Sequence, residues 1–341
     1  MRRWGYREKP RYVISTQQFS VTISSPATSG TATINQVDPN FSFIIWGGQK
    51  SSATLDATVL CNVQLTNGTT VTATRASLGG TCVVTGTVVY CSSRFVKSIQ
   101  QGTIAQAAQA SNTATINAVN VNTSVVLHLG TTNTLSSQNL SSPMTSLTLT
   151  NKTTVTVQSS STGNNSTGYV VVEFQREVVT QVQQISTTLT TGNSSDTVAV
   201  SPNVDFNRSV LFWGGQRCGS SIFADMLYSA ALTDGATLTF TRNGTNSTSK
   251  VINVTLVEFA HGVLRGIQRG SNVLASANNV SSTIPSSDID YGWCHQLGFY
   301  VSGTAWPSST PSTVYFDAKT IRTTLNTAGT STASWEAAWL N

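Results

Sequence analysis

The chain has 341 residues, a net charge of +5, 39% hydrophobic and only 10% charged residues, where a globular domain carries about 25% charged residues. Its polar surface comes instead from 98 Ser and Thr residues. Thr and Val favour pleated strands and Ser, Asn and Gly favour turns, so the composition reads all-β. It excludes a membrane helix, which needs roughly 18 consecutive apolar residues, and a long disordered tail, because apolar residues recur at strand spacing throughout.

In chain order, residues 1–14 form a basic aromatic arm in which Arg2, Arg3, Arg7, Lys9 and Arg11 alternate with Trp4, Tyr6 and Tyr12. The arm has no apolar stretch and no small-residue cleavage site, so it does not read as a signal peptide. Three large aromatics on a cationic tail imply docking on a neighbouring protein. Nucleic acid is the weaker choice, since basic residues are sparse beyond the arm.

After the arm the sequence repeats. Val37-Asp-Pro-Asn-Phe-Ser-Phe-Ile-Ile-Trp-Gly-Gly-Gln49 returns as Val204-Asp-Phe-Asn-Arg-Ser-Val-Leu-Phe-Trp-Gly-Gly-Gln216, with related segments at Val119–Gly130 and Ile289–Gly298 and starting offsets of 82, 85 and 85 residues. Leu65–Thr72, Leu149–Thr156 and Leu232–Thr239 keep the same step, as do the joints Ser15–Gln18, Ser98–Ile104, Gln181–Gln184 and Gly266–Gly270. A fixed period marks a tandem array, with repeats at 15–97, 98–181, 182–265 and a shorter, divergent 266–341.

Within a repeat, Thr69–Arg75 alternates polar and apolar residues as a strand with one wet face does, and Asn-Gly and Asp-Gly pairs supply hairpin turns. Ile104–Ala110 is the best helical candidate. A unit of about 84 residues with several short strands matches a small antiparallel β-sandwich. The absence of a sub-period of about 20 residues argues against a parallel β-helix. The expected architecture is four sandwiches in a row, an extended object in which each unit touches mainly its neighbours.

The repetition also explains most residues that could carry chemistry. Asp38, Asp205 and Asp290, with Asn120 in the second copy, read as Asx-turn residues, since Asn and Asp close such turns equally well. Glu173 and Glu258 recur and read as solvated strand positions. Trp46-Gly-Gly and Trp213-Gly-Gly read as a core-capping Trp followed by glycines that allow a bulge or a turn at the strand end, with Leu129 taking the Trp place in the second copy. His128, His261 and His295 fall in different repeats without ligand spacing, so no metal site is implied, and no nucleophile elbow or phosphate loop is present. No cofactor is implied. Sequons at Asn67, Asn122, Asn151, Asn207, Asn243 and Asn253 follow from composition.

Of five cysteines, Cys82 and Cys91 bracket Val83–Tyr90. A two-residue turn at Gly86-Thr87 would set them opposite each other on a hairpin as a candidate disulfide. Cys61, Cys218 and Cys294 read as small buried apolar residues.

The joint Ser98–Ile104, the run Thr31-Ala-Thr-Ile-Asn-Gln-Val-Asp38, the strand Asn40–Gly48 and their copies resemble tandem β-repeats of virion proteins of tailed bacteriophages. The resemblance spans nearly all of the chain after residue 14. It implies a structural role on the particle, as a tail-associated, fibre or capsid-surface (decoration) protein located on the virion. Its partners would be other capsid or tail proteins and its own copies, with no membrane insertion, and the resemblance carries over no catalytic residues. The resulting expectation is a non-enzymatic, oligomeric virion component anchored through its arm. The alternative is a receptor- or glycan-binding module in which Trp306, Trp335 and Trp339 stack on a host glycan. A depolymerase would need two carboxylates about 5–9.5 Å apart.

Overall fold

The computed structural model describes residues 11–52, 56–134, 142–189, 192–219, 227–243, 249–285, 289–301, 312–317 and 319–341. The chain is all-β and antiparallel. The first copy supplies β1 (Val13–Ile23), β2 (Ser29–Thr33), β3 (Ser42–Ser51), β4 (Cys61–Asn67), β5 (Thr70–Arg75) and β6 (Cys82–Cys91). The second supplies β7 (Val96–Ala105), β8 (Gln109–Thr115), β9 (Ser124–Asn133), β10 (Thr145–Asn151), β11 (Thr154–Gly163) and β12 (Asn165–Phe174). The third supplies β13 (Val179–Leu189), β14 (Ser195–Ala199), β15 (Ser209–Cys218), β16 (Ser229–Asp234), β17 (Thr237–Thr241) and β18 (Lys250–Phe259). The fourth has β19 (Leu264–Thr283), β20 (Gly292–Val301), β21 (Ser312–Asp317) and β22 (Thr320–Leu340), the two long strands each doing the work of two.

Local chemistry sets these elements as the sequence implies. β5 alternates half-buried and buried residues from Thr70 to Arg75, and tight turns after Asn67 and Asp234 pair Asn67 with Thr70 and Asp234 with Thr237. Asp38, Asn120 and Asp205 each accept a hydrogen bond from the backbone N–H two residues on, at 2.9, 3.0 and 2.9 Å, capping a single 3-10 turn before β3, β9 and β15. In the fourth copy the turn is Ile289–Tyr291. Asp290 therefore corresponds to Asn40, and the register proposed from sequence was two residues off. The Asp38 equivalent is Asp288, outside the described residues.

The copies are not strung out as separate sandwiches. Strand order β2-β5-β4-β9-β12-β7 joins half of copy 1 to half of copy 2, and β8-β11-β10-β15-β18-β13 joins copy 2 to copy 3. A ten-stranded sheet joins copy 3 to copy 4 and copy 4 to copy 1, through β19 and β22, which run across both parts. The result is a ring of four blades arranged like a four-bladed propeller, each blade built from two copies. An extended string would leave each half-sheet with an open edge, and sharing covers that edge. The boundaries at 98, 182 and 266 fall in the first residues of β7, β13 and β19.

Every blade is joined at one residue pair: Asn62 with Gly130, Ser146 with Gly215, Ser229 with Gly298 and Ser312 with Gly48. The four glycines have φ of 84, 102, 79 and 112°, the left-handed region that disfavours a side chain, and each sits at a register shift of its strand. They are β-bulges that turn the strand from one half-blade to the next. A Cβ on Gly130 would lie 2.1 Å from the Cys61 carbonyl oxygen.

A second set of equivalent bonds closes the ring at its other end. Phe95 N–H donates to Ser92 O, Val178 to Gln175 and Val263 to Ala260, at 3.0, 3.1 and 3.1 Å, turning the chain from one copy into the next. At the fourth joint no peptide connects the copies, and Tyr12 N–H donates to Asn341 O at 3.1 Å in the same way. Tyr12, Phe95, Phe174 and Phe259 pack there, with ring centroids 5.2 to 6.0 Å apart.

One packing cell recurs, with its large side chain on one strand or the other. Phe19 covers Gly86 in copy 1, Tyr169 covers Gly102 in copy 2 and Trp335 covers Gly270 in copy 4, while Ile185 and Val254 share the cell in copy 3. A core packs to fixed volume, so a ring on one strand requires glycine opposite.

Two local expectations fail. Ile104–Ala110 is not helical: β7 ends at Ala105, and Ala107 and Ala108 turn at φ of 30 and 61° into β8. Cys82 and Cys91 are not opposed, because β6 runs unbroken between them, with Gly86 inside the strand under Phe19. Nine residues of extended chain separate them by about 30 Å.

Two outcomes follow from this geometry. Gly130→Ala combines left-handed strain with a backbone clash and costs about 3 kcal/mol in urea unfolding, whereas Gly262→Ala, at φ 82° with no atom within 4 Å of the added carbon, costs about 1 kcal/mol. A circular permutant joining Asn341 to Tyr12 through two residues and opening between Arg176 and Glu177 keeps the native circular dichroism spectrum and one cooperative melt. Loss of cooperativity would show that the Tyr12–Asn341 joint is not equivalent to the covalent ones.

Candidate functional site

The four inner strands bring equivalent side chains to the ring's centre in layers. Phe43, Val125, Val210 and Trp293 form one, and Ile45, Leu127, Phe212 and His295 the next, each assigned by its partner on β6, β12, β18 or β22. The third is Trp46, His128, Trp213 and Gln296. Above it opens a cavity of about 90 Å³, rimmed by Leu60, Met144, Leu227 and Phe299. The axis is thus apolar at the closed end and mixed at the mouth.

The copy-2 member of the aromatic layer is His128 and not Leu129, which corresponds to Gly47. Counting back from the bulge glycine, Gly130 for Gly48, gives this register, one residue from the one expected. His128 Nδ1 accepts from Gly130 N–H at 3.0 Å, so Nε2 carries the proton and donates to Thr145 Oγ1 at 2.9 Å. Burial lowers its pKa to about 4, and it is a neutral wall residue. Its ring centroid lies 6.2 Å from that of Trp46. Trp46 Nε1 and Gln296 Nε2 reach no acceptor among the described residues. None of the described residues lining the cavity is charged. Such a wall can hold an uncharged group bearing a hydrogen-bond acceptor.

Gln49 and Gln216, beside the Trp-Gly-Gly motifs, act on the backbone. Gln49 donates to Val59 O and accepts from Cys61 N–H, both at 3.0 Å, and Gln216 accepts from Tyr228 N–H at 3.1 Å. They fix the starts of β4 and β16 at the rim.

The recurrent glutamates are not solvated. Glu173 is ion-paired with Lys97 at 2.8 Å and also accepts from Asn120 N–H and Ser98 Oγ, each at 3.0 Å. Burial pushes its carboxyl up, and these bonds outweigh burial and hold it below the ordinary range. Glu258 is paired with Arg208 at 2.8 Å. Both tie a repeat joint to the strand or capped turn beside it.

Copy 4 buries a carboxylate on the strand β22 that pairs with its inner strand β20. Glu336, fully buried, pairs with Arg269 at 2.7 Å and accepts from Leu211 N–H at 2.9 Å, while His295 Nε2 donates to Leu211 O at 2.7 Å. Burial raises Glu336 to about 7, against the Arg269 charge, and lowers His295 to about 4. Nothing in the repeat pattern pointed to this cluster, since the equivalents of Glu336 are Thr87, Val170 and Thr255.

Of the candidate site residues, Arg11 and Tyr12 contact their own chain. Arg11 hydrogen-bonds the Tyr291 hydroxyl and lies 4.8 Å over its ring, and Tyr12 belongs to the ring closure. Arg2, Arg3, Trp4, Tyr6, Arg7 and Lys9 lie outside the described residues, as does Trp306. Trp335 and Trp339 are 5% and 7% exposed and present no stacking face to a glycan. Trp335 fills the cell over Gly270, and Trp339 packs against Gly266 and Gly292. All five cysteines are buried, and no disulfide joins any two of them. Among the described residues no group of three or more His, Cys, Asp or Glu could hold a metal, and no helix is long and apolar enough to cross a membrane. Compared with known proteins, the chain matches no family model and no curated protein.

The His128 shift has a definite sign. Its folded pKa lies below the unfolded value of about 6.5, so its contribution to stability is complete above pH 6.5 and is lost as pH falls toward 4. Between pH 7 and 4.5, His128→Gln, the residue type copy 4 carries at this position, loses about 2.5 kcal/mol less unfolding free energy than the native chain. Parallel losses in the two proteins would show that His128 titrates normally.

Proposed function

We propose that the chain is a non-enzymatic structural component of a tailed-phage virion, a tail-associated, fibre or capsid-surface protein anchored through its N-terminal arm, residues 1–14. The observation that carries this reading is that the repeated motifs resembling virion β-repeats serve architecture. Ser98–Ile104 is strand β7 of a repeat joint, Asp38 caps the turn into β3, and Gly48 is the bulge at a blade junction. Repetition that builds a closed ring, with Thr- and Ser-rich outer strands such as β2 and β8, supports a role as a rigid part of a larger assembly.

The arm fits the anchoring role because Arg11 and Tyr12 within it are fixed at the ring closure, so whatever the residues before them bind is held close to the body. The receptor- or glycan-binding alternative loses Trp335 and Trp339 as contacts. It would have to use other surface.

Density-gradient purification of the particles tests the reading. The full chain bands with them at a fixed copy number, and a variant lacking residues 1–10 folds but stays in the soluble lysate. Recovery of the full chain only in the soluble fraction overturns the structural role. Incorporation of the truncated chain overturns anchoring by the arm.

A further inference from the structure

We infer that Cys61 and Cys82 form a disulfide when the protein meets an oxidising medium, stapling two sheets of the ring within copy 1. Cys61 begins β4, in the blade shared with copy 2, and Cys82 begins β6, in the blade shared with copy 4. Their Sγ atoms are 2.9 Å apart, and both face the Val59 carbonyl oxygen at 3.4 Å. Two sulfur atoms without a bond between them stay well beyond that separation, whereas a bond needs about 2.05 Å. A movement of under an ångström is required. Cys91 is ruled out as partner by its place at the far end of β6, and both thiols of the pair are buried, so the staple is protected once made.

The reaction is a thiol–disulfide exchange with a small-molecule disulfide such as oxidised glutathione. One cysteine thiolate attacks it, releases one reduced thiol and leaves a mixed disulfide, and the second cysteine displaces the other. Two S–H bonds are lost, one Sγ–Sγ bond forms, and the two electrons and two protons end on the two released thiols. Burial pushes the Cys61 thiol up, so the folded chain exchanges slowly and the bond forms during folding or local opening. Linking residues 61 and 82 closes a short loop of the unfolded chain, which raises stability. The Gln49 bonds to Val59 and Cys61 place the staple beside the rim of the axial cavity.

The test is refolding of the full chain in a glutathione redox buffer, blocking of free thiols and tryptic mapping. Cleavage at Lys50, Arg75 and Arg94 puts Cys61 in peptide 51–75 and Cys82 with Cys91 in peptide 76–94. The expected product is a cross-linked pair of these peptides, two hydrogens lighter than their sum, with the thiol count falling from five to three. It persists in Cys91→Ala and disappears in Cys82→Ala, and the oxidised chain melts several degrees above the reduced one. Full alkylation of Cys61 and Cys82 after oxidative refolding overturns the inference, and so does a cross-link that survives in Cys82→Ala.

Discussion

A half-sheet of three strands cannot bury both its faces and its inner edge, and the structure depends on how that deficit is met. Each copy divides its strands between two blades and leaves the inner strand of one half beside the last half of the copy before it. The two halves meet at a single residue pair, where a glycine at positive φ bends the strand. A side chain there would enter the neighbouring backbone. The glycine therefore sets the angle between half-blades, and the angle, applied four times, brings the last copy back onto the first. Ring closure follows from four equivalent bends, each at a glycine of positive φ.

Closure creates the axis, and the axis explains how the copies differ. Four equivalent positions facing one point cannot all carry large side chains, so the layers mix sizes and chemistries, with Phe43 and Trp293 against Val125 and Val210, and two indoles alternating with an imidazole and a carboxamide at the mouth. Divergence among the copies follows from packing a fixed volume with rotational near-equivalents. The exchange of ring and glycine between Phe19–Gly86 and Gly102–Tyr169 shows the same constraint away from the axis.

The strands, the Asx caps at Asp38, Asn120 and Asp205 and the bulge glycines were legible in the sequence because turn chemistry is local and repeats with the period. The ring was not, because alternation reports only that a face is buried and not against which copy. A sandwich and a shared blade bury the same residues. The Cys82–Cys91 reading failed for a related reason: Gly86 looked like a turn residue when it was making room for Phe19, a residue 67 positions away. Trp335 and Trp339 looked available for ligands because their covering glycines, Gly270 and Gly266, lie in β19, far along the chain. The axial mouth was half visible, through Trp46 and Trp213. His128 was hidden by a register slip of one residue, and Gln296 by one of two.

The fourth copy is where regularity gives way, and its polar cluster shows why. Strand β15 pairs with β18 on one side, but on the other it meets β10 only at Gly215, leaving Leu211 N–H and C=O facing copy 4. Buried backbone groups without partners cost free energy comparable to a lost hydrogen bond. Glu336 and His295 answer both groups of Leu211, and Arg269 bonds Ser209 O and Glu336. A buried ion pair is a poor source of stability when hydrophobic residues of similar volume could replace it. Here replacement by the Thr or Val of the other copies would return Leu211 to an unsatisfied state. The charges act as the hydrogen-bonding edge of a missing strand, so their worth lies in holding β15 at a fixed height against β20 and β22, the strands through which the ring closes.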